Sequence, residues 1–278
     1  MQLLPFSPKQ AASIRDATER VNLWDGSVRS GKTVASLFWW ANTVANHDGN
    51  GDLLMVGKTE RTLKRNVIGP LTELLGSAAV SLKQGAGEAL VFGKLVYLVG
   101  ANDERAEQKI RGGTYSKIYG DEGTLWPESF FMMALSRMST DGAMLGLTTN
   151  PDSPLHYIKR NVIDRVDELG YRRFHFTLRD NPSLSEAYIA AITAEYTGLW
   201  RKRFIEGLWV MAEGAIWDAF DTEPHTVTEL PEGLEFKRYT LGIDYGTSNP
   251  FVALLRGDGS DGRKWVIDEW RWDSAAKQ

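Results

Sequence analysis

Eight consecutive residues limit what this chain can fold into more than any others do. Gly26-Ser27-Val28-Arg29-Ser30-Gly31-Lys32-Thr33 fits the pattern G-x-x-x-x-G-K-[ST] at every position. Ahead of it, Val21-Asn22-Leu23-Trp24 suits a short strand ending at Asp25. Behind it, Val34, Leu37, Phe38, Ala41, Val44 and Ala45 recur at helical spacing. Strand, glycine loop and helix are the parts of a phosphate cradle. Glycines at 26 and 31 let the backbone turn its N–H groups inward, and the helix directs its positive end at the same point. On this reading the eight residues hold ATP, Lys32 reaches the β- and γ-phosphates, and the Thr33 hydroxyl ligates Mg2+. The competing reading is a Gly/Ser turn ahead of an ordinary helix; the flanking strand and helix weigh against it.

A chain of 278 residues is long for one domain and short for two, and 42% hydrophobic content supports a sizeable core. The absence of cysteine excludes disulfides and thiolate metal sites and suits a reducing compartment. His47, His156, His175 and His225 are scattered without metal-ligand spacing. The N-terminal apolar run is too short for a signal peptide, and no stretch approaches the roughly 20 apolar residues that span a bilayer. A soluble intracellular protein is expected. A net charge of −4 argues against a protein that coats nucleic acid over its whole surface, though not against a local basic track. Basic clusters occur at Lys58, Arg61, Lys64 and Arg65, at Lys159, Arg160, Arg165, Arg172 and Arg173, and at Arg201, Lys202 and Arg203. Taken singly, each reads as a solvated face. The 10 Trp residues read mainly as core.

The pattern predicts a first helix between Leu4 and Arg20, in which Gln10 either pairs with adenine or merely starts the helix. A buried strand follows at 52–57, then a helix over 60–75 broken at Gly69-Pro70. Short strands at 80–83, 89–92 and 95–99 suggest hairpins, and a short helix spans 103–109. Further strands are expected at 116–120, 143–149 and 171–177, with helices from Pro127, over 154–168 and over 185–207. This alternation implies a mostly parallel sheet with helices on both faces. Composition shifts to a linker at 221–238, and 239–245, 251–256 and 264–272 look like the first strands of a second sheet. About 50 residues cannot close an α/β domain, so that second domain is expected to be cut short. No internal repeat stands out.

Asp121-Glu122 ends the 116–120 strand, at the edge where α/β sheets place ligands. There the aspartate would hold the Mg2+ shell and the glutamate would orient and deprotonate the attacking water. Ser116-Lys117 makes this strand less apolar than a buried central strand should be. Arg29, inside the loop, could neutralise charge on its own nucleotide. Arg111, beside Gly112-Gly113, could serve a neighbouring subunit or be an ordinary surface arginine. Thr148-Thr149-Asn150 before Pro151 could sense the γ-phosphate or simply close a strand.

In this order, Gln10, Gly-Ser-Val-Arg-Ser-Gly-Lys-Thr, Ile-Arg-Gly-Gly, Tyr-Gly-Asp-Glu and Thr-Thr-Asn-Pro, the chain resembles the large subunit of tailed-phage terminases. These are DNA-packaging motors with an N-terminal ATPase and a C-terminal RNase H-like nuclease. The resemblance runs on through Leu241-Gly242-Ile243-Asp244-Tyr245-Gly246-Thr247, which looks like the opening strand of that nuclease. It implies an additional-strand P-loop NTPase over 1–220, a linker over 221–238 and a truncated RNase H-like domain over 239–278. It also implies that Arg29 is the loop arginine and Arg111 the trans-acting finger. Asp121 and Glu122 match the Walker B pair, Thr148 to Asn150 the coupling motif, and Asp244 the first nuclease metal ligand, for Mg2+ or Mn2+. Asp268 and Glu269 are adjacent on one strand, so at most one could join Asp244. The nuclease is therefore expected to be incomplete.

The expected function is ATP-driven packaging of double-stranded viral DNA into a procapsid. The expected assembly is a homo-oligomeric ring on the portal with a small terminase subunit, in the host cytoplasm and with no membrane involvement. The rival readings are an ATP-dependent helicase or translocase outside packaging, a P-loop small-molecule kinase, and a remnant that binds nucleotide without turnover.

Overall fold

The computed structural model describes residues 5–83, 87–211, 225–245 and 251–272. The expected turn at Gly85-Ala86, the start of the linker at 221–224 and Gly246-Thr247 lie outside them. The chain divides into two compact units, Met1–Asp218 and Ala219–Gln278.

The first unit is built on one sheet in the order β3-β4-β5-β2-β6-β7-β1-β8. Its strands are β1 (Val21–Gly26), β2 (Asp52–Gly57), β3 (Val80–Lys83), β4 (Glu88–Val91), β5 (Lys94–Gly100), β6 (Tyr115–Gly120), β7 (Met144–Thr149) and β8 (Arg172–Phe176). From β5 to β8 every pairing is parallel, while β3-β4 and β4-β5 form antiparallel hairpins at one edge. β7 lies between β6 and β1, as the additional-strand reading requires.

Strands buried on both faces should be apolar throughout, and β1 is buried at all six positions. Its alternate side chains feed separate cores. Trp24 joins Trp39, Trp40 and Met55 on one face; Val21 and Leu23 join Leu54, Ile118 and Phe130 on the other. Helix α1 (Pro8–Asp16) and α2 (Lys32–Ala45) come next to the loop. α2 buries nine of its fourteen residues, Trp39 and Trp40 among them. Trp40 is fully buried, so Trp40→Ala should cost about 3–5 kcal/mol.

Four departures from the expected elements have physical causes. The helix over 60–75 is α3 (Glu60–Leu63), a π turn at Lys64–Ile68 and α4 (Gly69–Leu75), so no break falls at Gly69-Pro70. Pro70 sits in the first turn of α4, where its missing N–H costs little. The helix over 154–168 reduces to a π turn at Ile158–Ile163 within turns. These two turns carry the same pentapeptide, Lys-Arg-Asn-Val-Ile, at 64–68 and 159–163, burying Val and Ile each time. That short repeat is not visible as a periodic pattern. Finally, polar Ser116 and Lys117 sit in a central strand because they are bonded there. The Ser116 hydroxyl donates to Asp52 O at 3.4 Å and Lys117 Nζ to Gly142 O at 2.5 Å.

On the other face run α5 (Glu128–Arg137), with Pro127 at its N-cap, and the second π turn. α6 (Glu186–Glu195) follows β8, and a last π turn at Arg201–Ile205 leads into an extended stretch to Met211.

The second unit is an antiparallel sheet, β9 (Phe236–Asp244), β10 (Phe251–Gly259) and β11 (Lys264–Trp272), with β10 central. β9 begins three residues before the expected strand. One face carries exposed Leu241, Ile243 and Trp270.

Candidate active site

The carboxyl ends of β1, β6 and β7 meet at one edge of the sheet, and the loop after β1 is held there from several sides. Gly26 has φ +135°, and a Cβ there would collide with Phe176 O, so only glycine fits. Ser27 N–H donates to Phe176 O at 2.9 Å and Val28 N–H to Phe204 O at 3.1 Å. Asn181 Nδ2 donates to Arg29 O at 2.7 Å. Arg29 itself is left-handed, with φ 53°, and its side chain is exposed. Such a conformation in a non-glycine residue costs about 1–3 kcal/mol and marks a functional turn.

Gly31 caps α2 with φ +85° and no side-chain cap, so the N–H groups of the first helical turn remain for a ligand. Ser27 and Ser30 hydroxyls are buried in the loop without a partner among the described residues. Unpaired donors converging at a helix N-terminus suit a phosphate group. Lys32 is 6% exposed, and its Nζ donates to Ser27 O at 2.9 Å and to Asn150 Oδ1 at 2.6 Å. Burial pulls this ammonium down to about 8, against the opposing charges of Asp25, Asp121 and Glu122. Thr33 is half-buried beside it.

Asp121 follows β6 and is 6% exposed. Burial first, and Glu122 second, push its carboxyl up to about 6. One hydroxyl joins the carboxylate pair: Thr148 Oγ1 donates to Asp121 Oδ1 at 3.0 Å and accepts from Glu122 N–H at 3.1 Å. Glu122 is left-handed, with φ 54° and ψ 58°, the second such residue at this edge. Thr149 Oγ1 accepts from Thr124 N–H at 3.2 Å. Thr148 to Asn150 therefore touch the Asp121 carboxylate and the Glu122 backbone on one side and the loop lysine on the other. A buried carboxylate whose charge is disfavoured, with a threonine hydroxyl at the loop, suits Mg2+ held mostly through substrate phosphates. Among the described residues no three His, Cys, Asp or Glu side chains form a metal group by themselves.

Gln10 reaches the loop: Oε1 accepts from Ser7 N–H at 3.0 Å and Nε2 donates to Gly31 O at 3.1 Å. It thereby caps α1 and braces Gly31. Arg111 is 59% exposed and pairs with Glu107 at 2.6 Å. It lies ahead of the amino end of β6, whereas Glu122 follows the carboxyl end. Asp244 ends β9 and is exposed. The register places Glu269 on Asp244's face of the second sheet and Asp268 on the other.

Residues 24–224 match the family model described as terminase large subunit, T4likevirus-type, N-terminal. The chain belongs to the terminase large subunits. Similar solved structures include the large terminase of a thermophilic bacteriophage, at 35% identity and TM-score 0.68, covering 99% of this chain and 70% of that one. The same thermophilic protein in complex with ADP matches at 34% identity and TM-score 0.67, over 98% and 70% of the two chains. The HK97 bacteriophage large terminase, at 12% identity and TM-score 0.61 over 98% and 64%, shares the fold. No curated protein matches the chain. As a terminase large subunit the chain is the ATPase of a viral DNA-packaging motor, and no helix among the described residues is long and apolar enough to cross a membrane.

This terminase holds one cluster that the sequence reading missed. Asp25, fully buried, is clamped by Arg173, with Nε to Oδ1 and Nη2 to Oδ2 both at 2.8 Å. By sequence Arg173 belongs to a solvated basic face; other members of those groups do pair at the surface, as Arg165 with Glu168 and Arg201 with Glu206. The available signal was an aspartate closing an apolar strand just before the loop. Its partners, about 150 residues away in the chain, could not be read from it.

Proposed function

We propose that this terminase couples ATP hydrolysis to the movement of double-stranded DNA into a procapsid, through the edge formed by β1, β6 and β7. The observation that carries the proposal is the position of β7. Its end contacts Lys32 through Asn150 and the Asp121-Glu122 pair through Thr148. One element thus meets both the group that holds phosphate and the group that activates water.

In this reading the loop N–H groups and Lys32 bind and orient the triphosphate of ATP. Glu122 takes a proton from the attacking water. Asp121 and Thr33 would hold Mg2+, which when bound neutralises charge on the phosphates. Arg29 lies close enough along the loop to serve its own nucleotide. Arg111, exposed and ahead of the opposite end of β6 from Glu122, would serve a neighbour in a homo-oligomeric ring on the portal. DNA contact is to phosphates and so indifferent to sequence. A small terminase subunit would supply DNA, and the setting would be the host cytoplasm. For the second unit we infer the opening of an RNase H-like nuclease, with Asp244 as a metal ligand and Glu269 as the acid on its face.

The test is steady-state ATP hydrolysis with Mg2+, with and without duplex DNA of unrelated sequences. Turnover that rises with DNA regardless of sequence is expected. Turnover unaffected by DNA, or phosphate appearing on a small metabolite, would overturn the proposal in favour of a kinase.

A further inference from the structure

Asp25 takes no part in the chemistry set out above, yet it is among the most heavily bonded side chains of the first unit. Besides the two bonds from Arg173, its Oδ2 lies 3.2 Å from His175 Nδ1 and accepts from Trp209 Nε1 at 3.4 Å. Burial alone would push this carboxyl up, but hydrogen bonds from His175 and Arg173 and the guanidinium charge hold it below the usual carboxylate range. These donors come from two elements, the edge strand β8 and the stretch after the last π turn.

β8 and the π turn that leads into that stretch hold the first half of the phosphate loop. Ser27 N–H donates to Phe176 O, one residue past His175, and Val28 N–H to Phe204 O, five residues before Trp209. Gly207, with φ +73°, packs so closely that a Cβ would come 3.0 Å from His175 Cε1 and 3.1 Å from Ser27 N. Asp25 therefore pins both neighbours of the loop at once. A bare carboxylate below a phosphate cradle would also repel its ligand; the Arg173 fork neutralises it with fixed geometry.

We propose that Asp25 is a positioning residue for nucleotide binding: through Arg173, His175 and Trp209 it fixes β8 and the 204–209 stretch against the loop and sets the loop's curvature around the β-phosphate. This rests on the nucleotide-site reading given above. It assigns Asp25 no contact with ATP.

The test is the affinity of the full chain for ATP, ADP and AMP, measured by calorimetry, with the melting temperature recorded for each variant. Asp25→Asn would strand Arg173, so the main variant is the double change Asp25→Asn with Arg173→Met, which removes both charges of the pair together and leaves neither unpaired. Expected is a rise of about tenfold in Kd for ATP and ADP alike, with AMP, which lacks a β-phosphate, unaffected. KM for ATP should rise by more than kcat falls, a split that a merely structural role would not give. Unchanged ATP and ADP affinity in the folded double variant would overturn the inference. Failure of the parent chain to bind either nucleotide would overturn the nucleotide-site reading instead. If the double variant does not fold, Trp209→Phe and His175→Asn leave the Arg173 fork intact and carry the same comparison. There a rise of about threefold supports the inference and no rise refutes it.

Discussion

Replacing Thr148 by valine removes one hydroxyl from a site that is 2% exposed and leaves the branched shape in place. Beside a long contact to Gly120 O at 3.5 Å, the hydroxyl makes two shorter bonds, so the loss has two main parts. Its bond to Asp121 Oδ1 at 3.0 Å reaches an ionisable group and contributes about 2 kcal/mol. The Glu122 N–H, 3.1 Å away and partly buried, is left without its acceptor at a further cost of about 1 kcal/mol. A total of about 3 kcal/mol should lower the melting temperature by roughly 6–12 °C for a unit of this size. The same bond also helps keep Asp121 ionised against burial and Glu122. Without it the carboxyl rises further above about 6. A group raised in the folded state contributes stability below its unfolded value and loses it as pH rises through the folded one. The deficit of Thr148→Val should therefore be smallest near pH 4 and largest above pH 6. Hydrolysis needs the ionised aspartate, so the acid limb of the rate profile should move to higher pH. Thr148→Ser, which keeps the hydroxyl, should restore that limb. Thermal melts between pH 4 and 9 measure the first effect, and ATP turnover between pH 5 and 9 the second. A valine variant within about 0.5 kcal/mol of the parent, with an unmoved acid limb, would refute the bridging role.

Lys32→Ala and Glu122→Gln should both abolish hydrolysis but differ in binding: the first weakens ATP affinity and the second retains bound ATP, and equal loss of affinity would sink the assignment. Arg111→Ala should be inactive alone and regain turnover when mixed with Glu122→Gln, because a mixed interface pairs intact halves; absence of rescue in proven co-assemblies counts against a trans finger. His156 accepts from Ile158 N–H at Nδ1 (3.1 Å) and lies 3.1 Å from Thr124 O through Nε2. Burial pulls its pKa down, so neutral His156 supports the fold above the unfolded value near 6.5, and that support is lost as pH falls through the folded one. Acid melts of His156→Gln should lack this loss, and an identical acid slope in parent and variant would exclude His156 as its source.

What the sequence made legible was local. The loop, the strand before it, the helix after it and the Asp121-Glu122 pair at a strand end are contiguous patterns, and each has its expected place. The additional strand between β1 and β6 followed from alternation and resemblance together. What stayed hidden depends on partners far apart in the chain. For Gln10, nothing in its neighbours shows that its amide also reaches the Gly31 carbonyl of the loop, 21 residues on. Lys117 reads as a weakness of β6 because the Gly142 carbonyl that receives it lies 25 residues on. The face shared by Asp244 and Glu269 needed the register of three strands, which neither residue type nor spacing supplies.

The insertion of β7 between the loop strand and the carboxylate strand has a mechanical consequence. Lys32 Nζ is bonded to Asn150 Oδ1 at 2.6 Å, and two residues on, Asp152 pairs with Arg203 at 2.7 Å. Arg203 also donates to Val210 O, at 2.7 Å from Nη2, and its neighbour Phe204 accepts from Val28 in the loop. The contacts close a circuit: loop, end of β7, stretch 203–210, and loop again. A lysine that turns from Asn150 toward phosphate leaves an unpaired amide oxygen at the end of β7. That change is met on the far side by the element that fixes Val28 and, through Trp209, Asp25. Rigid elements joined in this way shift together, because a packed interior offers no slack in which one could move alone. Under the coupling proposed above, the stretch 203–210 would carry a change at the γ-phosphate outward. Its exposed Leu208, together with Trp200 just ahead of it, is the surface at which that movement would be felt.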